Sequence, residues 1–157
     1  KKIKEQFQEN VNIKIKYVQS KPINFKFLKS RLFALNYELS TPNFNNVLTL
    51  ALWFCILNYN IDIELYGADF SQFKFFEVNQ RNNQIEQVGQ HFYGQSQGGP
   101  NSNKKYNNKK EKMMHTKLLG TYIGFYEMYI ISLFAKSKGV KIINYSSNSL
   151  LDCFERP

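Results

Sequence analysis

Histidine and cysteine are scarce in this chain. There are two of each, His91, His115, Cys55 and Cys153. No CxxC spacing occurs, so neither a zinc ribbon nor a dithiol redox motif is encoded. Two histidines among scattered carboxylates match no compact metal-ligand spacing, and a metal centre is not expected. Both cysteines sit in apolar surroundings and read as reduced core thiols of a cytosolic protein. Phosphate-cradling glycine motifs are missing too: there is no P-loop and no GxGxxG. A GxSxG elbow is absent, which argues against a serine hydrolase. No signal peptide and no internal repeat is visible. The longest apolar run, Val47 to Leu57, is well short of the roughly 20 residues a membrane helix needs. The chain starts on Lys1, so it reads as a fragment, a processed product, or a piece missing its upstream part.

What is present is enough for one domain. The 157 residues are 43% hydrophobic and 16% aromatic, a balance that supports a folded core. The formal net charge is +9, which suits nucleic acid, anionic lipid or phosphorylated small molecules. The positive residues are dispersed, though, with one group in a polar loop at Lys104, Lys105, Lys109, Lys110 and Lys112. Solvated faces and a flexible loop account for that pattern, and nucleic acid is the least favoured partner.

Periodicity divides the chain into alternating elements. NIKIKYV, 12–18, alternates as a half-exposed strand does. Residues 22–39 carry Phe25, Leu28, Leu32 and Leu35 at helical spacing. Residues 45–60 are apolar almost all round, as in a helix buried between layers, and Asn45 or Asn46 can cap it. A short joint leads to the strand IDIELY, 61–66. KFFEVN and QIEQVG, around the polar QRNN, predict a hairpin. Residues 95–110, rich in Gly, Asn, Ser and Lys, predict a mobile lid. A long helix is expected over 111–137, with His115, Leu118, Leu119, Tyr122, Tyr126, Tyr129 and Leu133 on its core-facing stripe and Gly139 as its stop. VKIINY, 140–145, is a further strand. This order predicts an α/β layered domain with a mostly parallel sheet.

In open α/β sheets ligands sit beyond the carboxyl ends of strands. Gly67, Ala68 and Asp69 lie at such an end. Gly67 permits close backbone approach. Asp69 is placed to accept from ribose or sugar hydroxyls or to orient a histidine; the plainer reading is a turn or cap. His91 and His115 flank the expected lid, so both can face one site when it closes. Each suits a general base or a phosphate contact, though taken alone each reads more readily as a structural histidine, His115 especially because it belongs to the core-facing stripe.

Three ordered stretches carry a resemblance: NNVLTLALWFCILNYNIDIELYGADFS at 45–71, HFYG at 91–94, and MMHTKLLG through KGVKIINYSSNSLLDCFER at 113–156. Together they resemble a glycosyltransferase family encoded in bacterial O-antigen and capsule clusters, which is similar to the bacterial lipooligosaccharide sialyltransferases. The resemblance implies a Rossmann-like α/β transferase that uses a nucleotide sugar without a metal or other cofactor. It implies a glycan acceptor, and a location in the cytoplasm or at the inner face of the membrane. In the sialyltransferases a GNGPSL loop upstream cradles the nucleotide phosphates, so this chain resembles their carboxyl-terminal part. Their catalytic base matches the second histidine of HYIGH, where this chain has Gln95; His91 matches the first. The resemblance implies His91 and Asp69 as catalytic residues, and Asn46, Gly67, Tyr93, Gln95, His115, Asn148 and Ser149 as substrate contacts. A basic binding or assembly module, or a degenerate remnant of a transferase, is the competing expectation. The aromatic richness permits a homo-oligomer.

Overall fold

The computed structural model describes residues 27–42, 46–87 and 113–157. Three α-helices, four strands and one 3₁₀ turn make up the described elements. Helix α1 is Leu28–Asn36 and helix α2 is Val47–Tyr59. Strand β1, Ile63–Leu65, leads into a 3₁₀ turn at Gln72–Phe75 and the hairpin strands β2, Phe76–Asn79, and β3, Gln84–Gln87. Helix α3, Met114–Ser137, precedes strand β4, Ile142–Asn144. The fold mixes helix and strand around a small parallel sheet, loosely α/β.

Strands β1 and β4 are parallel neighbours, with Ile63 opposite Ile142, Glu64 opposite Ile143 and Leu65 opposite Asn144. The expected parallel pairing of these two segments is therefore present. The chain tail runs alongside the far edge of β4 through a parallel bridge between Ile143 and Glu155. The expected hairpin also forms. Strands β2 and β3 pair antiparallel as a separate two-stranded sheet. Their turn is tied by the Asn83 amide donating to the Asn79 carbonyl at 2.8 Å, and Asn83 takes the left-handed φ of 53° that asparagine tolerates.

Helix ends follow from local chemistry. Asn46 caps α2: its side-chain oxygen accepts from the Leu48 amide at 2.8 Å. Gly139, at φ 72°, ends α3. Its amide donates to the Lys136 carbonyl, and the Val140 amide donates to the Ala135 carbonyl, the paired closure of a Schellman motif. Helix α1 ends in the same way, with Glu38 in the left-handed position at φ 55° and the Leu39 amide reaching the Ala34 carbonyl.

The core lies where α1 and α2 meet α3 and where α3 meets the sheet. Leu35, Trp53, Ile56, Ile131, Phe134 and Leu151 are among its buried members. Across it, the Arg31 guanidinium of α1 is paired with the Glu127 carboxylate of α3, both buried. The same guanidinium stands 5.9 Å from the centre of the Tyr126 ring.

Two sequence expectations need correction. The stripe His115, Leu118, Leu119, Tyr122 and Tyr129 does not face the core: all five are exposed. The buried face of α3 is instead Glu127, Met128, Ile130, Ile131, Phe134 and Ala135, displaced toward its C-terminal half. Helix α3 is apolar on several sides, so its periodicity does not single out one face. Helix α2, expected to be buried between layers, buries only Thr49, Leu52, Trp53 and Ile56, while Val47, Ala51 and Asn58 are exposed among the described residues. Helix α3 is the one described helix long and apolar enough to cross a membrane. Its buried C-terminal half shows that a core helix meets the same test.

Candidate functional site at the strand ends

The parallel pairing brings two loops together beyond the carboxyl ends of β1 and β4, at Gly67–Asp69 and Tyr145–Ser149. Four hydrogen bonds stitch them. The Tyr145 amide donates to the Leu65 carbonyl at 2.9 Å and the Leu150 amide to the Asp69 carbonyl at 2.8 Å. The Ala68 amide donates to the Ser146 hydroxyl at 2.7 Å. The Ser149 hydroxyl donates to the Ala68 carbonyl at 2.5 Å and accepts from the buried Asn144 amide nitrogen at 2.9 Å. The Arg156 guanidinium then secures the outer loop by donating to the Ser146 and Ser149 carbonyls at 2.9 and 2.7 Å.

Both loops hold left-handed backbone. Gly67 has φ 72°, Phe70 56° and Asn148 56°. Gly67 and Asn148 adopt this conformation readily. Phe70, a bulky residue, does not, and its ring is held by an edge-on contact with Phe125 of α3, 5.4 Å between centres. Strained backbone of this kind persists where surrounding packing enforces it, and it clusters at ligand sites.

Asp69 sits between these positions with its carboxylate exposed. The Ser71 hydroxyl donates to its Oδ2 at 2.6 Å. No other hydrogen bond to the carboxylate occurs among the described residues, so its second oxygen is open to a hydroxyl donor. Gly67 has open space where a Cβ would stand, so a ligand can approach its backbone. Asn148 is exposed at the rim of the second loop.

The remaining expected site residues distribute differently. Ser149 is committed to the clasp between the loops, and the Asn46 oxygen to capping α2. His115 lies on the exposed first turn of α3. Phe125, which contacts the Asp69 loop through Phe70, is ten positions further along, about 15 Å of helix rise. His115 thus stands about three helical turns from the residue that contacts the Asp69 loop. His91, Tyr93, Gln95 and the expected 95–110 lid lie outside the described residues.

Two aromatic residues at the same strand ends escaped the sequence reading. Tyr66 and Tyr145 stack with ring centres 5.1 Å apart and planes 12° from parallel. The Tyr66 hydroxyl donates to Glu64 Oε2 at 2.9 Å. That bond to a carboxylate, aided by nearby negative charge, raises the Tyr66 phenol above its ordinary value. The signal was available. Leu65 and Asn144 are paired in register and face inward, so the residues that follow them are outward neighbours.

A cleft of about 450 Å³ lies at the other end of β4, lined by Lys136, Lys141, Asp152, Cys153 and Glu155 among others. Burial and the Asp152 charge push the Cys153 thiol up to about 11, so it stays protonated at neutral pH and is a poor nucleophile. Its mixed charges favour no ligand class. Among the described residues no group of His, Cys, Asp and Glu can hold a metal ion.

Neither a family model, nor a curated protein, nor a solved structure matches this chain.

Proposed function

We propose that this chain belongs to a glycosyltransferase with a Rossmann-like fold, which moves a sugar from a nucleotide-activated donor to a bacterial surface glycan such as O-antigen, capsule or lipooligosaccharide. The observation that carries the reading is the meeting of two hydrogen-bonded loops at the carboxyl ends of parallel strands, with the exposed Asp69 carboxylate beside the left-handed Phe70. Ligands of open α/β sheets occupy that position. The three ordered stretches that resemble the O-antigen and sialyltransferase families add the chemistry.

In this reading His91 takes the proton from the acceptor hydroxyl as the acceptor oxygen attacks the anomeric carbon. The bond to the nucleotide breaks, and the departing phosphate carries the electron pair. The basic 104–112 segment and His115 balance that charge. Asp69 accepts from a ribose or sugar hydroxyl, or orients His91. Gly67 lets the ligand approach the backbone, while Tyr93, Gln95 and Asn148 line the substrate. The amide nitrogen of Asn46 completes the donor contacts, and Ser149 holds in place the loop that presents Asn148. No metal takes part. The enzyme works in the cytoplasm, at the inner face of the membrane where its glycan acceptor is built.

His91→Ala tests the assignment. Transfer from the nucleotide sugar is expected to vanish while the urea midpoint stays that of the parent protein. Transfer at near the parent rate would sink the role of His91. Steep salt dependence of polyanion binding, with no nucleotide bound, would instead favour a basic binding module.

A further inference from the structure

We propose that Tyr66, Tyr145 and Glu64 form a binding platform for an uncharged pyranose ring, a sugar subsite separate from the Asp69 position. Tyr66 is 69% exposed and Tyr145 38%. The two rings lie nearly parallel, so each spends one face on the other. The outer face of Tyr66 is left bare among the described residues. An aromatic plate of this kind suits the flat C–H face of a sugar.

The neighbouring group narrows the ligand. Glu64 is exposed, and its Oε2 already accepts from the Tyr66 hydroxyl. Its other oxygen has no partner among the described residues. A carboxylate at the edge of an aromatic plate accepts hydrogen bonds from sugar hydroxyls. It also repels phosphate and sulfate, and so disfavours the nucleotide diphosphate that the protein's overall positive charge would attract. The charge arrangement thus selects neutral sugar over anion at this spot. The sheet fixes the geometry. Glu64 and Tyr66 share the outward face of β1, and Tyr145 follows the residue paired with Leu65. Glu64 is thus held by the register of β1, and Tyr66 and Tyr145 stand one residue beyond the paired strands, where the Tyr145 amide donates to the Leu65 carbonyl at 2.9 Å.

The proposal rests on the glycosyltransferase reading only for the source of the sugar, which would be the glycan acceptor. Stacking itself requires no transfer. The test is calorimetric titration of cellohexaose, whose equatorial hydroxyls leave both ring faces free, into the parent protein and into Tyr66→Ala, Tyr66→Phe, Asp69→Asn and Ser147→Ala. Uridine, cytidine and the nucleotides CMP, UDP and GDP are titrated separately. Cellohexaose is expected to bind the parent and the control Ser147→Ala alike, whereas Asp69→Asn is read for loss of nucleotide. Binding should weaken roughly ten-fold or more in Tyr66→Ala, the scale of losing a stacking ring, and only a few-fold in Tyr66→Phe, which keeps the ring. Tyr66 is exposed, so both variants should fold, and unchanged circular dichroism and melting check this. Cellohexaose binding that ignores Tyr66→Ala overturns the platform, as does no binding to the parent. Uridine or cytidine lost on Tyr66→Ala, with cellohexaose unaffected, also overturns it in favour of a base-stacking plate. Sugar bound through Tyr66 without any nucleotide binding at Asp69 leaves the platform standing and removes the transferase reading. Nucleotide binding at Asp69 without sugar binding does the reverse.

Discussion

Replacing Ser149 by alanine separates a structural role for this residue from a purely ligand-binding one. Its hydroxyl is the hub of the clasp between the strand-end loops. It donates to the Ala68 carbonyl at 2.5 Å and accepts from Asn144 Nδ2 at 2.9 Å. It also accepts from the Leu151 amide at 3.3 Å, the longest of its three bonds. Asn144 is fully buried and Ala68 nearly so. Ser149→Ala removes one oxygen and leaves a buried donor and a buried acceptor without that partner. Each such orphan costs about 1–3 kcal/mol. Ser149 is only half-buried, so water offsets part of the loss on the Ala68 side. The expected destabilisation is therefore about 2–4 kcal/mol, a large share of the ~5–15 kcal/mol that a domain commands. Urea unfolding measures it, with the exposed neighbour Ser147→Ala as control, expected within about 0.5 kcal/mol of the parent. A Ser149→Ala loss no larger than the control, at unchanged m-value, would refute the clasp. The loops would then be held by backbone bonds alone.

Other outcomes follow from the same geometry. Glu127→Gln leaves the buried Arg31 guanidinium without its counter-charge and should cost about 3–5 kcal/mol in chemical denaturation. The double variant Arg31→Met with Glu127→Leu should recover most of that loss, and a double variant as unstable as the single one would contradict the explanation. Glu38→Gly places the residue suited to φ 55° at the end of α1 and should raise stability by about 1 kcal/mol in the same assay; a loss would show that the glutamate side chain matters more than its backbone. The Cys153 thiol is pushed up to about 11 when folded, from an ordinary 9.0. A raised value means that its contribution is intact below about pH 9 and is lost as pH climbs toward 11. Between pH 8 and 10.5 the parent protein should therefore lose more stability than Cys153→Ala. Parallel pH curves for the two would refute the shift.

Much of the architecture was legible because local chemistry dictates it. The stop at Gly139, the Asn46 cap and a strand within IDIELY depend on near neighbours in sequence, and all three are present in the structure. The parallel pairing of β1 and β4 was readable from two short apolar strands, each preceded by a helix. What escaped was anything decided across the chain. Arg31 and Glu127 lie 96 positions apart, and nothing near either residue announces the other. The inward face of α3 was misread because aromatic residues at helical spacing occur on its outer side as well. In the candidate site, Gly67 and Asp69 were visible as a strand end. The structural work of Ser149 and Asn144 was not, since it depends on which loop the sheet brings beside them. The Tyr66 and Tyr145 pair needed only the register of two strands, an inference that alternation allows once pairing is known.

The most direct test of the account is isothermal titration of CMP, UDP and GDP, each with and without its sugar, into the full product of the gene encoding this chain, alongside its Asp69→Ala variant. The account predicts that one nucleotide binds and that binding weakens at least ten-fold in Asp69→Ala with the fold intact, the scale of losing a charge-assisted hydrogen bond of about 1.5–3 kcal/mol. Failure of all three nucleotides to bind the folded protein, or binding that Asp69→Ala leaves untouched, would contradict a donor site at the end of β1.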